Sequence, residues 1–139
     1  MVKISDEILQ LIIREQEVVF VGTVDRLGIP NISPRNVIAI LDDEKIVFAD
    51  AFMNKTYSNM KSWSHVTVAI VDKANRGGFQ LKGTAEEITD PQLVLQATKK
   101  LRDLGFTTGP TMVWALNVQE IYSIKPSESS KNPLIPAYG

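Results

Sequence analysis

Val18-Val19-Phe20-Val21-Gly22-Thr23-Val24, then the turn Asp25-Arg26-Leu27-Gly28, then an extended run from Pro30 to Ile40, then Asp42-Asp43-Glu44, then Lys45-Ile46-Val47-Phe48-Ala49-Asp50: residues 18–50 set β-branched, apolar runs between short polar turns. Val, Ile, Phe and Thr suit a pleated, half-buried surface, whereas Asp and Gly favour turns. Runs so closely spaced leave no room for the crossover of a dozen or more residues that parallel neighbours need. The stretch therefore predicts an antiparallel meander of three strands rather than βαβ units.

Working outward, Ser5-Asp6-Glu7 precedes Ile8, Leu9, Leu11, Ile12 and Ile13. A capping Ser, acids in the first turn and this spacing predict a short amphipathic helix over about residues 6–16. Downstream, Phe52 to His65 reads as a loop and short helix, and Val66 to Val71 as a fourth strand. A polar loop from Asp72 to Gly78 leads to a fifth strand, Phe79 to Thr89, which Gly83 interrupts; such a glycine marks a bulge or a corner. Asp90-Pro91 offers an N-cap and a proline at the first helical position, opening a helix to about Leu104 that Gly105 ends. Thr111 to Ile124 completes six strands. The expected fold is mainly β (α+β): a small six-stranded antiparallel barrel with flanking short helices, closure being how such a sheet avoids exposed edges. Residues 1–125 make the domain, and 126–139, rich in Ser and Pro, an extended tail that crosses a partner subunit or moves freely.

The 139 residues suit one domain, and 44% hydrophobic with 22% charged residues is ordinary for a globular chain. Fifteen Lys and Arg against sixteen Asp and Glu leave a formal charge of −1. Without a global positive field or exposed aromatic runs, nucleic-acid binding is not expected. The absence of cysteine excludes disulfides, thiolate metal sites and a Cys nucleophile. A charged N-terminus and the lack of any membrane-length apolar run give the expectation of a soluble, cytoplasmic protein.

Protein-borne catalysis has little to stand on. His65 is the single histidine, which rules out a multi-His metal site, and a lone His is more often a surface or structural residue than a catalyst. The carboxylates Asp42-Asp43-Glu44 and Glu86-Glu87 fall at a turn and on a strand, where solvation is the ordinary role. No Walker loop or GxGxxG segment is present.

Two places carry more information. After the strand ending at Asp50, the chain delivers Asn54, Lys55 and Thr56 to the start of a short helix. Helix N-terminal amides, a hydroxyl and an ammonium together form an anion site, although alone they read equally as a plain cap. Ser33-Pro34-Arg35-Asn36 interrupts an otherwise apolar strand. In a regular strand Arg35 and Asn36 point to opposite faces, so one of them faces the barrel or a dimer contact unless the strand bulges. An Arg so placed needs an anionic or planar partner, either a ligand or an acid of this chain.

Lys55 followed by Asn59-Met60, the strand Val66 to Val71, then Gln80-Leu81-Lys82-Gly83-Thr84-Ala85 and Glu87-Ile88-Thr89-Asp90 resemble, in order and spacing, the pyridoxamine phosphate oxidase-like FMN-binding split-barrel family. The likeness spans roughly residues 8 to 125. It implies a split barrel with FMN as cofactor, Lys55 and Thr56 on its phosphate, and Ser33 and Arg35 near the phosphate or ribityl chain. Asn36 would lie near the flavin, main-chain groups of Ala49 and Asp50 at the isoalloxazine edge, Asn54 at the phosphate end, and Gln80 on a neighbouring strand. It also implies a homodimer with the flavin at the interface, where Trp63, Met112 and Trp114 would stack or pack, although each such residue is more often simply core, and an electron donor or small-molecule substrate of unknown identity. Two departures matter. Ser64-His65 stands where the family often has Asn-Pro, and the chain lacks the C-terminal Arg- and His-containing segment that binds the pyridoxal substrate. A true pyridoxamine phosphate oxidase is thus not expected. The expectation is a flavin-dependent oxidoreductase or electron carrier, with alternatives in a non-catalytic FMN storage module or a barrel for another cofactor such as deazaflavin; haem is disfavoured by the single imidazole.

Overall fold

Alternation along Val18–Val24 (β1) sets the two faces of the sheet. In the computed structural model, which describes residues 2–52, 54–125 and 131–134, Val19, Val21 and Thr23 point inward and are buried, and their neighbours are half-exposed. β1 pairs with Pro30–Leu41 (β2), which in turn pairs with Lys45–Asp50 (β3). The chain continues through a helix, Lys55–Ser62 (α2), into the hairpin His65–Asp72 (β4) and Gly77–Ile88 (β5), then a longer helix, Pro91–Asp103 (α3), and a last strand, Met112–Ser123 (β6). The first helix, α1, spans Asp6–Arg14. β6 inserts between β3 and β5, and β4 returns to β1, so the order β1-β2-β3-β6-β5-β4 closes a six-stranded antiparallel barrel. The meander and the barrel agree with the sequence expectation.

The interior holds Val19, Val21, Ile46, Phe48, Val68, Ile70, Leu81, Trp114 and Leu116, to which α1 adds Ile8, Leu11 and Ile12. A second apolar layer lies outside the barrel, where Ala97 and Leu101 of α3 cover Val47, Ala49, Val113 and Ala115. Alanines on both sides of this contact let the helix approach the sheet closely. No helix of the described residues is long and apolar enough to cross a membrane.

The site depends on β2. Its first half, Pro30 to Asn36, is registered on β1; its second half, from Val37, is registered on β3 with a shift between Val37 and Ala39. Upstream of Val37, β2 has no partner residue on β3, and the ladder opens. Asn36 falls on the outer face opposite Val18, and Arg35 on the inner face opposite Val19, so the pair does straddle the sheet.

The element ends differ from expectation for local reasons. α1 stops at Arg14, because Gln16 and Glu17 take φ of 60° and 63° to reverse the chain into β1. The β4–β5 ladder runs on to Asp72 opposite Gly77, leaving a turn of only residues 73–76. There the Asp72 carboxylate accepts from the Asn75 side chain, which with Arg14 holds its pKa below the usual range against the opposing effect of burial. Of the expected tail, residues 126–130 and 135–139 lie outside the described residues; within 131–134, the Leu134 amide donates to the Ile121 carbonyl at 2.7 Å.

Gly83 sits at the register shift between β5 and β6, where a Cβ would lie 1.9 Å from the Asn117 carbonyl oxygen. Backbone on both sides cannot yield as a side chain would. Gly83→Ala is therefore expected to destabilise the barrel by about 1–3 kcal/mol, read as a lower urea midpoint at unchanged slope.

Candidate functional site

Asp50 ends β3 with no exposure to solvent. A carboxylate there must be fully hydrogen-bonded, and it is: Oδ1 accepts from Arg35 Nε at 2.7 Å, and Oδ2 from the Trp114 indole N–H at 2.7 Å. Trp114, itself 1% exposed, packs edge-on against Tyr57 of α2. It is a core residue, the more ordinary of the two roles that the sequence left open for it. Met112 packs against the core, and Trp63, at the C-cap of α2, is 49% exposed.

Arg35 reaches across the opening between β2 and β3. Beyond Asp50, its NH1 donates to Ser33 Oγ at 3.0 Å and to the Pro34 carbonyl at 2.7 Å, and its NH2 to Asn54 Oδ1 at 3.3 Å. Asn54 is the N-cap of α2, its Oδ1 also accepting from the Tyr57 amide at 3.1 Å. The partner that the sequence demanded for Arg35 is thus an acid of the chain itself.

A second set of bonds continues from Ser33. Its hydroxyl shares a 2.6 Å hydrogen bond with that of buried Thr56, which accepts from Asn31 Nδ2 at 3.0 Å. Thr23 Oγ1 accepts from Asn59 Nδ2 at 3.0 Å and from Asn31 at 3.4 Å. The first turn of α2 is thereby moored to the inner faces of β1 and β2. At its far end, Lys61 donates to Glu87 on β5 at 2.5 Å, and that carboxylate holds the ammonium above the ordinary lysine range.

Lys55, at the first position of α2, is exposed, and among the described residues its ammonium has no hydrogen-bond or ion-pair partner. Beside it the first amides of the helix lack intrahelical acceptors. The opened ladder forms a cavity of about 220 Å³ lined by Pro34, Arg35, Asn36, Ala49 and Asn54, with Ile38, Ala51, Phe52, Leu101 and Phe106 as its apolar side. Phe52 and Phe106 meet there with ring centroids 6.3 Å apart.

Ser33, Arg35, Asn36, Ala49, Asp50, Asn54, Lys55 and Thr56 are therefore gathered around one opening between β2, β3 and α2. Gln80 is not. It lies on the outer face of β5, in a larger concavity of about 790 Å³ that runs across Gly22, Ile32, Thr67 and Lys82 and also takes in His65. The polar mooring through Thr23, Asn31 and Asn59 escaped the reading of the sequence. Its signal was Asn31, Ser33 and Arg35 at every second position of an apolar strand, which puts all three on one face. Among the described residues no group of three or more His, Asp or Glu could hold a metal ion.

A closed six-stranded antiparallel barrel with one ladder opened beside a helix N-terminus defines a split barrel. The chain belongs to the pyridoxamine 5'-phosphate oxidase family, whose model matches residues 4–125. It is 30% identical to an uncharacterized protein of Methanocaldococcus jannaschii over 126 residues, 89% of this chain and 83% of that one. HupZ of Group A Streptococcus superposes with a TM-score of 0.75 at 27% identity, covering 89% of this chain and 96% of that chain. An FMN-binding protein of Syntrophomonas wolfei subsp. wolfei superposes with a TM-score of 0.71 at 18% identity, covering 88% and 87%, which attests the shared fold.

The Thr56 hydroxyl is a buried acceptor for Asn31 and a partner of Ser33. Thr56→Val, nearly equal in shape, is expected to cost about 1–3 kcal/mol in urea unfolding by leaving those polar groups unpaired. A loss below 0.5 kcal/mol (about the scatter of surface substitutions) would contradict the mooring.

Proposed function

We propose that this protein binds FMN at the opening between β2, β3 and α2 and works as a flavin-dependent oxidoreductase or electron carrier. The observation that carries the reading is Lys55: an exposed ammonium without a partner among the described residues, at the N-terminus of a helix, beside a cavity in the sheet. A phosphate suits that place, since helix N-terminal amides and an ammonium both favour negative charge. Thr56 turns its hydroxyl into the barrel, so its amide is the group it offers to the anion. Arg35 and Ser33 hold the frame behind the phosphate end. Asn36 and the main chain of Ala49 border the cavity where the flavin edge would lie, and Asp50 sits buried behind it. When bound, FMN supplies hydride and single-electron chemistry, while the protein fixes its position and surroundings. Membership of the family and the FMN-binding protein of the same fold support this assignment.

The cavity also supports a homodimer. Its 220 Å³ falls short of the roughly 300–1,000 Å³ usual for small-molecule sites. A second copy would supply the missing wall, and Gln80, in the larger concavity on the outer face of β5, would then reach the flavin of the partner subunit. A second reading, FMN binding without turnover, is favoured by Asp50. It is fully buried with a hydrogen bond on each oxygen, and among the described residues no Asp, Glu or His lines the cavity to exchange a proton with a substrate.

Purified protein is expected to be yellow, with a flavin spectrum. Protein that is colourless and takes up no added FMN would overturn the assignment. Lys55→Ala is expected to weaken FMN binding by about ten- to a hundredfold, the loss of one charge-assisted contact, with the fold intact by circular dichroism. Light scattering should give twice the monomer mass, and a monomer would remove Gln80 from the site. Stopped-flow mixing with NADH or NADPH separates the two readings: bleaching of the flavin band marks a reductase, and no reduction by any common donor marks storage.

A further inference from the structure

We infer that Asp50 is a positioning residue for the anion-binding end of the site: through Arg35 it sets the N-cap of α2, and so how tightly a terminal phosphate is held. The ligand in this statement rests on the FMN reading above; the mechanical link does not.

Asp50 cannot touch a ligand, being fully buried with each oxygen taken. Its reach is indirect. Upstream of Val37, β2 and β3 share no ladder pairs, and among the described residues Arg35 to Asp50 is the hydrogen bond that spans the two strands there. The same guanidinium holds Ser33, which holds Thr56, and holds Asn54, which caps α2. Asn54 at the cap and Thr56 in the first turn thus take their position from one planar group, and that group takes its orientation from Asp50 at Nε. Trp114 fixes the other oxygen, so the carboxylate cannot rotate to follow a displaced Arg35.

Asp50→Asn keeps the shape and the acceptor but puts an amide donor against one of two N–H groups. Arg35 then loses its fixed orientation and the cap loosens. FMN carries a phosphate where riboflavin ends in a hydroxyl, so the two flavins report the two ends of the site separately. In the full-length variant, FMN affinity is expected to fall about tenfold, as for one charge-assisted hydrogen bond, with riboflavin affinity unchanged. Hydrogen exchange at the Tyr57 amide, which donates to Asn54, is expected to accelerate while the Val68 and Leu81 amides keep their protection. An unchanged ratio of FMN to riboflavin affinity with normal Tyr57 protection would overturn the inference. So would tighter FMN binding, which would make Asp50 a competitor for Arg35 rather than its guide. Should Asp50→Asn fail to fold, Arg35→Lys keeps the charge opposite Asp50 but loses the fork to Ser33 and Asn54, and the same two readouts apply. If the wild type binds no FMN, the flavin reading falls by itself, and accelerated or normal exchange at Tyr57 alone decides the positioning role.

Discussion

A carboxylate removed from water where an antiparallel ladder comes apart constrains everything around it. Desolvating Asp50 is costly, and its pairing with Arg35 and the Trp114 indole offsets that cost. Pairs of this kind are weak evidence for net stability, because well-packed apolar residues of the same volume often do as well. Breaking one partner away is different, since it strands the other charge in the interior at about 3–5 kcal/mol. The pair therefore acts less as an adhesive than as a geometric stop. It permits one separation of β2 from β3 and one orientation of the guanidinium.

Given that stop, the rest of the opening follows. Where β2 leaves β3 above Val37, Arg35 spans the gap to Asp50 and also donates to the Pro34 carbonyl. The polar face Asn31, Ser33, Arg35 can point into the barrel because Thr23, Thr56 and Asn59 meet it there. The apolar core of Phe48, Val68, Ile70 and Leu116 fills the remainder. The barrel is thus apolar where its strands pair continuously and polar where one ladder opens. The helix seated on the polar part presents at its first position the Lys55 ammonium, which has no partner among the described residues.

Much of this was legible beforehand, for identifiable reasons. Period-two alternation and short polar turns made the six strands visible, and the Asp90-Pro91 pair opened α3 where expected. Gly83 marked the β5–β6 bulge because only a residue without Cβ fits against the Asn117 carbonyl. Strand ends were less legible, since ladder bonds such as Asp72 opposite Gly77 carry pairing into residues whose own preference is for turns. The partner of Arg35 was not legible at all. The chain offers many acids, and choosing Asp50 requires the register of two strands fifteen residues apart plus the position of Trp114, sixty-four residues further on. For the same reason Lys55 and Thr56, adjacent in sequence, looked like equal ligands. Helix geometry separates them: one side chain enters the solvent and the other is buried.

That separation bears on how the proposed site divides its labour. A phosphate dianion needs charge, and Arg35 has four of its five N–H donors committed within the chain, so among the described residues the unpaired cation at the opening is Lys55. An ammonium on a flexible stem is a point charge that tolerates small displacements, whereas amide N–H groups of a helix terminus are directional and do not. The Lys55 charge and the rigidity of the α2 cap would then both favour a phosphate over a neutral hydroxyl terminus, the first by long-range attraction and the second by direction. Rigidity comes from the interior of the barrel, through Asp50, Arg35 and Ser33, and charge comes from the surface. The flavin end has no comparable anchor within one chain. Its border is main chain from β3, the apolar rings of Phe52 and Phe106, and on the dimer reading a face of the partner subunit. Divergence among proteins of this fold can therefore proceed at the flavin end, through loops and interface, without disturbing the polar mooring that keeps the phosphate end in place.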